Sequence, residues 1–81
     1  MGHHDIWRTE PDGVLAAEAD GLRLVVQAPE EVGGAARFLV LRRDGEGLAI
    51  VASGTEGDVR AAIKAAARTA ERILARLLGP G

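Results

Sequence analysis

The sequence has no cysteine, no tyrosine and no asparagine, and its only aromatic residues are Trp7 and Phe38. Without cysteine there are no disulfides, no thiolate zinc or iron–sulfur sites and no thiol nucleophile. One lysine (Lys64) and one serine (Ser53) are present, and the histidines, His3 and His4, stand beside the starting Met1. A nucleophile needs a base held within hydrogen-bond reach. Histidines at the head of the chain do not offer that, so the expectation is a protein that is not an enzyme and carries no cofactor or catalytic or metal-binding residues. No apolar run reaches the roughly 18–20 residues of a membrane span. No apolar stretch follows the first residues as a signal peptide would require. The expected setting is the cytoplasm.

What is present is small and apolar. Hydrophobic residues make up 47% of the 81 residues, and the chain holds 11 glycines. This composition lies above that of disordered chains and points to one small domain with a thin core. Arginine supplies nearly all the positive charge, and with the alanine and glycine load this points to a GC-rich bacterial genome. The net charge is −2, with the acids concentrated in the first two thirds. That is not the strongly basic footprint of a DNA binder.

Residues 1–5 read as a loose start or tag remnant, 6–78 as a single domain and 79–81 as a stop. Ile6–Thr9 suits a short strand or arm, and Glu10-Pro11-Asp12-Gly13 a turn. Val14–Ala19 and Leu22–Ala28 are strand-like runs flanking Asp20-Gly21, the dipeptide of a two-residue type I′ hairpin. That turn sets Glu18 opposite Arg23 and Ala17 opposite Leu24. Asp44-Gly45 predicts a second hairpin between Arg37–Arg43 and Leu48–Ser53, with Leu41 opposite Leu48 and Leu39 opposite Ile50. Ser53-Gly54-Thr55 is expected to close the sheet, with Thr55 as cap of an alanine-rich helix from Val59 to Leu78. A phosphate cradle at this junction is disfavoured by Glu56 and Asp58, which occupy the place of the anion. The fold class is α+β: a four-stranded antiparallel meander and one long C-terminal helix on one face (ββββα), with room for an extra N-terminal strand.

The helix carries an apolar stripe of Val59, Ala62, Ile63, Ala66, Ala70, Ile73, Leu74 and Leu77. Joining the hairpins by hydrophobicity alone sets Leu15, Ala17, Leu24 and Val26 beside Leu39, Leu41, Leu48 and Ile50 beneath it. The opposite face then holds Val14, Ala16, Glu18, Arg23, Val25, Gln27, Phe38, Val40, Arg42, Ala49 and Val51, seven of the eleven apolar, which is more than a solvated sheet face normally carries. A helix of residues 56–78 spans about 34 Å, against a sheet diagonal of about 25 Å. Its apolar end therefore overhangs. These features predict a homodimer or assembly subunit, with Trp7, Val25, Phe38, Val40, Val51, Ile73, Leu74, Leu77 and Leu78 as interface residues. Trp7 folded over the helix end is the competing cover.

Arg60, Lys64, Arg68, Arg72 and Arg76 recur at every fourth position and form a slanting basic ridge along the helix. Its two readings are a solvated face and an anion-binding edge for nucleic acid or an acidic partner. The scarcity of aromatic side chains speaks against single-stranded nucleic acid, whose bases stack on such platforms. The run Arg37-Phe38-Leu39-Val40-Leu41-Arg42-Arg43, with Leu48–Val59 and Arg60-Ala61-Ala62, resembles short uncharacterised proteins of GC-rich bacteria. That resemblance implies no activity and no site residue. In outline the four strands and helix are similar to dimeric single-stranded-DNA-binding coactivator domains. A designed scaffold is a further reading of the regular turns and the alanine-rich helix.

Overall fold

The structure is a computed structural model that describes residues 7–79, and for Leu78 the backbone alone. The expected loose start at 1–5 and the Pro80-Gly81 end lie outside the described residues. Five antiparallel strands form one meander in the order β1 (Arg8–Thr9), β2 (Leu15–Ala19), β3 (Leu22–Gln27), β4 (Ala36–Asp44) and β5 (Gly47–Glu56). One helix, α1 (Val59–Leu78), follows and packs across β3, β4 and β5. The α+β class and the helix end at Leu78 agree with the sequence reading, and the extra N-terminal strand is present as β1.

The turns explain the strand pairing. Gly13 donates to the Glu10 carbonyl at 2.8 Å, closing the β1–β2 turn. Asp20 (φ 51°) and Gly21 (φ 87°) are both left-handed, as a type I′ hairpin requires. The predicted register follows, with Glu18 opposite Arg23 and Ala17 opposite Leu24. The second hairpin departs from expectation. Asp44 pairs with Gly47, so the turn residues are Gly45-Glu46 rather than Asp44-Gly45. Of these two only Gly45 (φ 65°) is left-handed, the signature of a type II′ turn with glycine first. Leu41 therefore faces Ile50, not Leu48, and Leu39 faces Ser53, not Ile50. A bulge at Val51 adds one residue to β5 between the Leu41–Ile50 and Val40–Ala52 pairs.

The two hairpins also join by the other face of β4. Leu24 lies opposite Val40 and Val26 opposite Phe38. Phe38 (7% exposed) and Val40 (0%) are thus core residues beneath α1 and are withdrawn from the expected interface. Leu39 and Leu41 take their place on the open face. The physical reason is that Phe38–Leu41 is apolar on both faces, so alternation cannot choose between them. The 28–35 loop imposes no register.

The core is Leu22, Leu24, Val26, Phe38 and Val40 against Ala62, Ala66 and Ala70 of α1. Alanine on the helix stripe lets its backbone approach the sheet closely, and the packing depends on that fit. The helix start is also corrected. Asp58 is the N-cap, its side chain accepting from the Ala61 amide at 2.8 Å. Thr55 lies within β5, so Ser53–Glu56 is strand and forms neither cap nor cradle. Gly79 (φ 67°) closes the other end.

Candidate interaction surface on the open sheet face

Every residue on one face of the sheet points away from α1. Rows across that face follow from the register. Ala16, Val25, Leu39 and Ser53 form one row, and Glu18, Arg23, Leu41 and Ile50 form the next. Arg43 and Leu48 form a shorter row near the Gly45-Glu46 turn. Val25, Leu39 and Leu41 are half-buried by their neighbours, whereas Leu48 (52%) and Ile50 (61%) stand clear. The expectation of an apolar second face holds with a changed membership: Val25 stays, Leu39, Leu41, Leu48 and Ile50 enter, and Phe38 and Val40 leave. Val51, the bulged residue, is exposed at the same place.

One side of this face is covered from within. The Arg23 guanidinium meets Glu10 at 2.7 Å and Glu18 at 3.4 Å. Glu10 belongs to the β1–β2 turn, so the Arg23 side chain reaches across the Ala16–Val25 row, and Ala16 is buried there. The uncovered part is the β4–β5 side.

Trp7 does not cover the open face. Backbone alternation before Arg8 turns it to the helix side. There it packs against the core and lines a cavity of 210 Å³ with Ala19, Leu24, Ala67, Ala70 and Leu74. Ile73 and Leu74 are half-buried in the same packing, and Leu77 is exposed. The overhang is shorter than expected, because β4 and β5 have 9 and 10 residues and span about 30 Å, much like the helix.

The ridge residues Arg60, Lys64, Arg68, Arg72 and Arg76 are all exposed. Among the described residues the ion pairs are those of Arg23, so the ridge has no acidic partner there. A polar concavity of about 570 Å³ at the other end of the sheet brings Asp12, Glu30, Glu31, Arg37 and Thr55 together. It gathers three carboxylates, one guanidinium and the Thr55 hydroxyl. His3 and His4 lie outside the described residues.

Comparison of the chain with protein family models, with curated proteins and with solved structures finds no match.

Proposed function

We propose that this chain is a small non-enzymatic bacterial protein that works by self-association, as a homodimer or assembly subunit. The observation that supports this best is the apolar patch of Leu39, Leu41, Leu48 and Ile50 on the β4–β5 side of the open face. Antiparallel sheets that meet water on one face normally turn polar residues to it. Here α1 already occupies the other face, so these four residues gain nothing from the chain's own core. Leu77 at the helix end adds a smaller apolar site. The test is Ile50→Lys, which places a charge at an exposed position without touching the core. Sedimentation equilibrium should show the wild type associating and the variant monomeric with an unchanged far-UV spectrum. Equal association of both proteins would refute this use of the face.

A second reading uses the helical ridge as an anion-binding edge, for which nucleic acid is one candidate. Five exposed cations at every fourth position, without acidic partners among the described residues, support it. Their mutual repulsion costs a few tenths of a kcal/mol per neighbouring pair. Titration with duplex DNA at low and moderate salt separates this reading from a solvated face. Phosphate binding should be tightest at low salt, so no binding there excludes it.

A further inference from the structure

We propose that the partner is a second copy of this chain, joined edge to edge by antiparallel pairing of β5 with β5 over its whole length, Gly47 against Glu56. This rests on the self-association reading above and adds its geometry.

The two edges of the sheet are unlike. β1 is two residues long and carries Arg8, and short charged edges resist pairing. β5 is ten residues long and contains neither proline nor a charge before Glu56. Among the described residues no strand lies beyond it. Leu48, Ile50 and Val51, three of the large apolar side chains that stand exposed, are all on this strand. Such an edge is a template for another strand.

The register follows from the turn and the bulge. A two-residue hairpin closes on a hydrogen-bonded pair, here Asp44 with Gly47. Alternate residues then turn their backbone groups away from β4. Before the bulge these are Leu48 and Ile50; beyond it they are Ser53 and Thr55. In an antiparallel pair of identical strands, pairing Gly47 with Glu56 sets Leu48 against Thr55 and Ile50 against Ser53. In an unbroken strand each of these pairs would join residues from opposite faces. The extra residue at Val51 reverses the alternation. All four residues therefore share the open face and also carry the free N–H and C=O groups. The bulge, which would ordinarily blunt an edge, is what makes full-length self-pairing consistent in both faces and hydrogen bonds. Ile50 of each copy then continues the Leu39–Ser53 row of the other.

Amide hydrogen exchange, followed by NMR above and below the association concentration, tests this. Edge pairing predicts that the Leu48, Ile50, Ser53 and Thr55 amides are protected in the associated protein and lose that protection on dilution. A dimer in which these amides exchange as fast as those of the 28–35 loop overturns edge pairing while leaving self-association intact. A protein that stays monomeric overturns both. A second arm uses Ser53→Pro. Its amide points off the sheet, and proline is tolerated at such edge positions. The substitution should weaken association at least about tenfold through the hydrogen bonds lost from both copies, with cooperative unfolding retained. Association of wild-type strength in Ser53→Pro contradicts the proposal.

Discussion

The Phe38 ring fills the space above Gly54, its partner on the neighbouring strand: a Cβ added to Gly54 would stand 2.7 Å from Phe38 Cε1 and 2.8 Å from Cζ. Glycine inside a strand ordinarily weakens it. Here its bareness admits the one phenylalanine of the chain between sheet and helix. Gly54→Ala should therefore destabilise the fold by about 1–3 kcal/mol, as overpacking does, despite alanine's smaller backbone entropy cost. Urea denaturation measures this, and unchanged stability would show that the ring moves aside freely.

The helix start gives a paired prediction. Asp58→Ala removes the acceptor for the Ala61 amide and should cost about 0.5–2 kcal/mol. Thr55→Ala changes an exposed strand residue and should cost no more than about 0.5 kcal/mol. Thermal melts of the two variants check the order; the reverse order would place the cap at Thr55.

Ala66 is fully buried where α1 meets the sheet. Ala66→Leu should force the two layers apart and cost about 1–3 kcal/mol or more. Ala61→Leu, on the helix flank, serves as the control for helix propensity. A stable Ala66→Leu protein would mean that the layers are not closely packed.

Trp7 is the only tryptophan, so intrinsic fluorescence reports on its packing without ambiguity. Its emission should be blue-shifted in the folded protein and move to the red in Leu74→Ala, which removes one wall of the 210 Å³ cavity it lines. Emission identical in Leu74→Ala and wild type would contradict a Trp7 cover on the helix end.

The parts of this fold that could be read from sequence are those fixed by local chemistry. Asp20-Gly21 has only one comfortable hairpin geometry, and the register from Leu15 to Val26 follows from it. The helix is bounded by Gly79 and by the loss of its apolar period before Val59. Asp44-Gly45-Glu46-Gly47 offers two turn choices, one residue apart, and the structure takes the one that puts glycine first. Such a slip moves the β4–β5 pairs by two positions up to Leu41–Ile50, and the bulge adds a third beyond it. The run Leu48–Ala52 lacks alternation, which was the available sign of the bulge at Val51. Which face of β4 turns inward depends on packing Phe38 over Gly54, a relationship between residues sixteen apart that no local pattern carries. The apolar second face was legible as a property of the whole sheet, even though Phe38 and Val40 proved to be core. The ridge from Arg60 to Arg76 was legible outright, because spacing alone puts it on one side of a helix.

The central claim is that one chain leaves its β5 edge, with the exposed Leu48 and Ile50, unpaired and a second copy of β5 completes it. Light scattering on the purified protein tests this most directly. The account predicts a species of twice the 8.4 kDa chain mass that dissociates on dilution. A single species of one chain mass at every concentration up to the solubility limit would contradict it.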